Sequence, residues 1–167
     1  MKINKIITEF DTPQIYCDMD GVLADFHKYT MSLVGDNFNN KDWPDMPGDI
    51  FLRLPPMSDA HTLWNFIKPY NPIILTAKPR DEFRIPTAEA DKKKWMQQQF
   101  GHSPDKINVV YRNEKQHFAI NGQDNSPNLL IDDHRKNIAE YNSAGGIGVL
   151  HTSANSTIRQ LKQIGYN

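Results

Sequence analysis

The 167-residue sequence has a single cysteine, Cys17, so no disulfide can form within the chain. This is typical of proteins from reducing compartments. A surplus of charge of one sign is also lacking. The sequence has 19 Lys and Arg and 20 Asp and Glu, which gives a formal net charge of −1. Without a basic surplus, the sequence argues against an extended nucleic-acid partner.

Apolar runs of membrane-spanning length are missing as well. Residues 1–10 mix Lys, Asn and Glu with apolar residues and contain no signal-peptide core. Neither a P-loop nor a dinucleotide-binding glycine motif is present, which argues against an ATP-driven kinase. We therefore expect a cytoplasmic protein without a membrane segment, and the sequence does not decide whether it is an oligomer.

Short apolar runs alternate with helical patterns along the chain. Runs that are apolar on both sides and separated by helices are typical of parallel strands covered on each face. We therefore predict an α/β fold: a Rossmann-like, parallel five-stranded sheet flanked by helices. The five predicted strands are residues 15–19, 73–75, 108–111, 129–131 and 147–150.

The connection between the first two predicted strands is much longer than a crossover needs. We interpret residues 27–70 as a small, mainly helical cap, inserted after the first strand into a core made of residues 1–26 and 71–167. Such a cap would stand over the carboxyl ends of the strands, where open α/β sheets bind ligands. Its Phe38, Trp43 and Phe51 either contact an apolar part of the ligand or pack the cap's own core.

The first predicted strand ends in Asp18-Met19-Asp20-Gly21. Residues two apart in a strand point to the same face, so Asp18 and Asp20 would lie side by side. A hard divalent cation would neutralise two carboxylates placed so close together. The alternative is a strand that simply ends in a polar turn, which Asp-Gly dipeptides often mark.

Four stretches, in order, resemble the motifs of the haloacid dehalogenase superfamily of phosphatases, and within it the 5'(3')-deoxyribonucleotidases. Residues 18–26 resemble the first motif and residues 73–77 the second, Lys115 is placed like the lysine of the third, and residues 129–133 resemble the fourth. The resemblance extends from residue 15 to about residue 152 and is weakest over residues 28–46.

This resemblance implies a magnesium-dependent phosphatase that hydrolyses nucleoside monophosphates, with deoxyribonucleotides preferred, through an aspartyl-phosphate. Asp18 would be the nucleophile and a metal ligand, and Asp20 the general acid and base, with its backbone carbonyl on the ion. Asp132 and Asp133 would supply further oxygen ligands to Mg²⁺. We favour Asp133 as the direct ligand and Asp132 as a ligand through water.

The resemblance also implies a set of groups that hold the phosphate. Thr76 would donate its hydroxyl, the backbone amides of Met19 and Ala77 would add donors, and Lys115 would neutralise the transferring phosphoryl group. In the family the lysine follows an arginine by two residues, whereas Lys115 is three residues after Arg112. Arg112 and Lys115 are therefore both candidates for the phosphate contact.

The basic run of residues 92–94 is interpreted as the solvated face of a helix. Three other functions stay open beside the nucleotidase. One is a 3'-phosphatase for nucleic-acid ends, and another is a phosphatase for a different small phosphomonoester. The third is a non-catalytic phosphate-binding module, such as a receiver domain phosphorylated on Asp18.

Overall fold

The computed structural model describes residues 12–167, so the prediction for residues 1–10 lies outside the described part of the chain. One sheet has the strand order β3-β2-β1-β4-β5, and every pairing in it is parallel. The predicted parallel five-stranded α/β fold is confirmed. Its strands are β1 (Ile15–Cys17), β2 (Ile73–Ala77), β3 (Ile107–Val110), β4 (Leu129–Asp132) and β5 (Ile147–Leu150).

Helices connect the strands and cover both faces of the sheet. They are α1 (Phe26–Val34), α2 (Ile50–Arg53), α3 (Ala60–Ile67), α4 (Ala88–Phe100), α5 (Arg135–Ser143) and α6 (Ala154–Ile164). Short 3₁₀ helices lie at Asn40–Asp45, Lys68–Tyr70, Asp81–Phe83, Pro104–Lys106 and Arg112–Phe118. Within residues 12–167, every helix is too short or too polar to cross a membrane.

The alternation of side chains along the strands divides the core into two layers. Ile15 and Cys17 of β1 face the layer that contains α3, α4 and α6. Tyr16 points to the opposite layer, where Leu130 of β4 shares a hydrophobic cluster with Tyr141 of α5. Because both layers are apolar, each strand reads as a continuous apolar run rather than as an alternating one.

The segment inserted between β1 and β2, residues 27–70, is helical through most of its length, and its last helix, α3, packs against α6. Two backbone hydrogen bonds fasten its base: Asp25 N donates to Pro55 O at 2.8 Å, and Met57 N donates to Leu23 O at 2.8 Å. The aromatic residues of the inserted segment join the same hydrophobic cluster as the helices on that face. The inserted segment is therefore continuous with the core of the sheet.

Candidate active site

The site begins where β1 ends. Asp18 continues the pairing with β4, because its backbone N–H donates to Ile131 O at 2.9 Å, and only 6% of its surface is exposed. The chain then turns sharply, with Leu23 N donating to Met19 O at 2.8 Å. Gly21 makes this turn with a φ of 82°, and a Cβ there would overlap the carboxylate of Asp133. Only glycine fits this position without strain or a clash.

Three carboxylates meet at the carboxyl ends of β1 and β4. Asp18, Asp132 and Asp133, which we call the acid cluster, each bring one oxygen to within 4.8 Å of the others. Burial raises the pKa of Asp18 well above its ordinary value, even though Lys115 opposes that rise. Desolvation, followed by the charge of Asp132, raises the pKa of Asp133 to about 6. Such crowding is costly for anions, so the acid cluster suits a cation.

Lys115 lies inside the acid cluster. Its Nζ is 3.0 Å from Asp18 Oδ1 and 2.8 Å from Asp132 Oδ2, and the side chain is almost fully buried. Burial lowers the pKa of Lys115, but the carboxylates of Asp18 and Asp132 outweigh that effect and the pKa is raised overall. Lys115 is therefore a permanent cation beside Asp18.

The 3₁₀ helix Arg112–Phe118 explains why Lys115 follows Arg112 by three residues. In a 3₁₀ helix, side chains three residues apart are eclipsed, so both cations project from the same side. Lys115 turns into the acid cluster, whereas Arg112 donates to Asn137 Oδ1 at 3.0 Å and to Glu140 Oε2 at 2.9 Å. Lys115, and not Arg112, is thus the cation that touches Asp18.

Lys92 corrects the interpretation of residues 92–94 as a solvated helix face. Lys93 and Lys94 are partly or fully exposed, but Lys92 is 0% exposed. Its Nζ lies 2.5 Å from Asp20 Oδ2, 3.1 Å from Thr76 Oγ1 and 4.2 Å from the centre of the Phe51 ring. Residues 92–94 cross the boundary between the buried and the exposed face of α4. Lys92 therefore points into the protein, while Lys93 and Lys94 reach solvent.

Asp20 and Thr76 are brought together by Lys92 and not by direct contact. Asp20 Oδ2 accepts from Lys92, while Asp20 Oδ1 is buried without a hydrogen-bond partner among residues 12–167. Thr76 Oγ1 accepts from Lys92, which leaves the hydroxyl hydrogen free to donate elsewhere. Asp20 Oδ1 is therefore an unpaired carboxylate oxygen, and Thr76 is an available hydroxyl donor.

The backbone amide of Met19 has a partner within the site. It donates to Asp18 Oδ1 at 2.8 Å and so orients that carboxylate, and its contact with a phosphate stays a prediction. Asp18 Oδ1 receives both this amide and Lys115, so Asp18 Oδ2 is the oxygen that the described residues leave without a hydrogen bond. Ala77, the other predicted amide donor, lies on the wall of the adjoining cavity.

A cavity of about 930 Å³ opens beside Asp20. The residues that line it come from the connection between β1 and β2, from the end of β2 with the loop after it, and from residues 111–113 after β3: Asp20, Phe26, Asn40, Trp43, Phe51, Ala77, Lys78, Pro79, Arg80, Asp81, Glu82, Phe83, Tyr111, Arg112 and Asn113. Its charged residues balance, with three cations and three acids. The cavity walls therefore have no charge surplus that would strongly attract a charged group. The cavity can hold an organic group beside the acid cluster.

The predicted aromatic contacts divide into two groups. Trp43 and Phe51 are mostly buried and also line the cavity, so each packs in the core and presents part of its ring to the cavity. Phe38 does not line the cavity. It packs edge-on against Phe26 at 5.2 Å and against Trp43 at 4.9 Å. Phe38 therefore supports the wall from behind, and the prediction that it contacts a ligand is not supported.

Sequence reasoning missed three residues that the structure places in or near the site. Lys92 could have been found from its spacing, since Trp95 and Met96 follow at three and four positions on the buried face of α4. Phe83 lines the cavity and stacks with Trp43 at 5.8 Å, and no periodic pattern marks it. Asn137 is buried on α5 and donates to Asp132 Oδ2 at 3.0 Å.

Fold and site together define a Rossmann-like α/β protein with an acidic cleft at the carboxyl edge of its sheet. No family model matches the chain. A protein of Vibrio phage KVP40 named "Putative 5'(3')-deoxyribonucleotidase" is 28% identical over 130 residues, which cover 76% of this chain and 69% of that protein. The crystal structure of a hydrolase from Streptococcus pneumoniae TIGR4 superposes with a TM-score of 0.52 at 13% identity, covering 92% of this chain and 99% of that one, so the two share a fold.

Proposed function

We propose that this protein is a magnesium-dependent phosphatase that hydrolyses nucleoside monophosphates, with deoxyribonucleotides preferred. The observation that carries the proposal is the acid cluster built around Asp18, with Lys115 buried inside it, Lys92 buried against Asp20, and a cavity of about 930 Å³ beside Asp20. The name of the Vibrio phage relative supports the same activity. A cytoplasmic location stays a prediction from the sequence.

The donor set fits a hard divalent ion, because three carboxylate oxygens lie within 4.8 Å of one another. Asp132 Oδ2 already accepts from Lys115 and Asn137, and Asp132 Oδ1 accepts from His134 N. Its remaining capacity is small, so we assign Asp133 as the direct carboxylate ligand and Asp132 as a ligand through water. Asp18 Oδ1 likewise accepts from Met19 N and Lys115, which leaves Oδ2 of Asp18 for the reaction itself. A bound Mg²⁺ would screen the phosphate charge from the attacking carboxylate.

Asp18 is the proposed nucleophile. Its Oδ1 is held by Met19 N and Lys115, so Oδ2 is the oxygen that attacks phosphorus. The bond between phosphorus and the ester oxygen breaks, and Asp20 delivers a proton to the departing alkoxide. Water then attacks the aspartyl-phosphate, Asp20 takes the proton from that water, and Asp18 and inorganic phosphate are regenerated. The partner-free Oδ1 of Asp20 is the proposed proton carrier.

Two buried lysines and one hydroxyl are the proposed phosphate-binding groups. Lys115 lies next to Asp18, while Lys92 holds both Asp20 and Thr76. Negative charge builds up on the phosphoryl oxygens during transfer, and fixed cations in a dry site stabilise that charge strongly. Thr76 has its hydroxyl hydrogen available for a phosphoryl oxygen.

The cavity supports a nucleoside as the leaving group. The rings of Trp43, Phe51 and Phe83 form an apolar wall against which a planar base can stack. Three cations and three acids line the cavity, and this balance favours a substrate with a single phosphate over the end of a nucleic-acid strand. We therefore rank the 3'-phosphatase for nucleic-acid ends second.

A substrate panel tests the proposal. We expect the protein with Mg²⁺ to hydrolyse dTMP and dUMP faster than sugar phosphates or a 3'-phosphorylated oligonucleotide, as measured by release of inorganic phosphate. Asp18→Asn should lose about 10⁴-fold or more in kcat while keeping its circular dichroism spectrum. Faster turnover of sugar phosphates would refute the nucleotidase assignment, and an active Asp18→Asn variant would refute the nucleophile.

A further inference from the structure

We propose that Asn137 is a positioning residue that links Arg112, on the cavity wall, to Asp132 in the acid cluster. The proposal rests on the function proposed above for the same site. Asn137 lies in the first turn of α5, with only 6% of its surface exposed. Asn137 lies outside the four stretches that resemble family motifs, and its assignment rests on its contacts alone.

The two ends of the Asn137 side chain bind partners of opposite charge. Its Oδ1 accepts a hydrogen bond from Arg112 Nη1 at 3.0 Å, and its Nδ2 donates to Asp132 Oδ2 at 3.0 Å. An arginine offers only donors and a carboxylate only acceptors, so the amide has one orientation that satisfies both. A side chain fixed in this way transmits the position of one partner to the other.

Asp132 depends on this amide for its own orientation. Its Oδ2 receives Lys115 at 2.8 Å together with Asn137, and its Oδ1 receives His134 N at 2.8 Å. Removing the amide would leave Lys115 as the only donor to Asp132 Oδ2 among residues 12–167. Lys115 also contacts Asp18 Oδ1 at 3.0 Å, so a shift of Asp132 would disturb the cation beside the proposed nucleophile.

Arg112 is anchored to the same helix at a second point. Its guanidinium contacts Glu140 at 2.9 Å, three residues after Asn137 on α5, and this pairing lowers the pKa of the Glu140 carboxyl. Arg112 keeps part of its surface on the cavity wall. A ligand that draws the guanidinium toward the cavity therefore acts on α5, and through Asn137 on Asp132. The network predicts coupling between ligand binding and the geometry of the acid cluster.

Substrate-free affinity for Mg²⁺, measured by titration calorimetry, tests the link to the acid cluster. We expect Asn137→Ala to weaken Mg²⁺ binding by about 10-fold and to lower kcat by a similar factor, as is typical when a partner that orients a metal ligand is lost. Asn137→Ser provides a second variant if the alanine substitution impairs folding. The matched control is Asn142→Ala, which removes a side chain on the same helix. Within the described part of the chain, this side chain bonds only Gly148 N, at 2.7 Å.

A double-mutant cycle tests the link to Arg112. Arg112→Ala should raise KM, and combining it with Asn137→Ala should cost less than the sum of the two single changes, because both interrupt one network. Fully additive effects, or an Asn137→Ala protein that matches Asn142→Ala in Mg²⁺ affinity and kcat, would overturn the inference. So would a wild-type protein that does not bind Mg²⁺.

The two proposals fail in different ways. If no monophosphate is hydrolysed but Asn137→Ala still weakens Mg²⁺ binding relative to Asn142→Ala, then the positioning role stands and the phosphatase function falls. If the wild-type protein is an active nucleotidase and Asn137→Ala is indistinguishable from the control, then the function stands and the positioning role falls.

Discussion

Gly21 is the residue at which the turn after β1 touches the acid cluster. It has a φ of 82°, and a Cβ at this position would overlap the Asp133 carboxylate. A left-handed conformation is costly for any other residue, but that cost alone would affect only stability. The overlap adds a functional cost, because Asp133 would have to leave its place in the acid cluster.

We therefore predict that Gly21→Ala abolishes most phosphatase activity and weakens Mg²⁺ binding. The matched control is Gly35→Ala, at a helix end with a φ of 73° and nothing within 4 Å of the added Cβ. Both changes should cost about 1 kcal/mol in unfolding free energy from backbone strain. Only Gly21→Ala should lose activity, and equal activity of the two variants would contradict this reading of the turn.

At the residue scale, the sequence was informative where neighbours in the chain are also neighbours in space. Asp18 and Asp20 are two residues apart, and Asp132 and Asp133 are adjacent, so each pair could be assigned to a strand end. Lys92 could not be assigned in this way, because it reaches Asp20 from a helix 72 positions further along the chain. Its role depends on how α4 packs on the sheet.

At the scale of elements, α4 joins the inserted segment to the site. Trp95 Nε1 donates to Leu54 O at 2.8 Å, and the ring of Phe51 covers the ammonium of Lys92. These contacts of the buried face of α4 therefore fix the position of α2 relative to Asp20. A lysine enclosed in this way is costly to bury, and we attribute its presence to its contacts with Asp20 and Thr76.

We predict that Lys92→Met lowers kcat by about 10²–10³-fold, because it removes a cation from the proposed phosphate site. Stability should fall, because the change leaves the Asp20 carboxylate without its cation and removes the donor to Thr76 Oγ1. Lys93→Met is the matched control: Lys93 is the next residue and pairs with Glu89 on the helix surface, at 2.8 Å. Steady-state kinetics and urea unfolding of both variants measure the two effects. Equal kcat values for Lys92→Met and the wild-type protein would contradict the assignment.

The 3₁₀ helix Arg112–Phe118 shows why element type decides a residue's role. A spacing of three between Arg112 and Lys115 left both cations open as phosphate contacts. The spacing became meaningful only once the segment was known to be a 3₁₀ helix, in which both side chains share one side. Short 3₁₀ helices have no strong sequence signature, so this assignment required the structure.

At the scale of the whole molecule, the sheet was predictable because its signals are local and repeated. Each strand is a short apolar run, and right-handed crossovers then limit how the strands can be arranged. The cavity was not predictable in the same way. Its walls come from three separate segments, and a residue such as Phe83 acquires its position only from the packing of Trp43 against it.

The metal-free protein should lose stability as the pH rises, because the acid cluster resists ionisation. Burial raises the pKa of Asp18, and desolvation followed by the charge of Asp132 raises that of Asp133 to about 6. A carboxyl whose pKa is higher in the folded than in the unfolded chain binds more protons when folded. Stability therefore falls as the pH rises from about 4 through about 6.

Magnesium should reverse this trend near neutral pH. Saturation at about 100 times Kd adds about 2.7 kcal/mol, or roughly 5–10 °C in Tm. At about pH 5 the Tm shift should be smaller, because protonation of Asp133 weakens Mg²⁺ binding about tenfold. Thermal unfolding with Mg²⁺ and with a chelator, at about pH 5 and about pH 8, measures both effects.

Asp133→Asn should lose the Mg²⁺ shift and be more stable than the metal-free wild-type protein at the higher pH. A Mg²⁺ shift in Tm that is independent of pH would show that the acid cluster does not bind the ion.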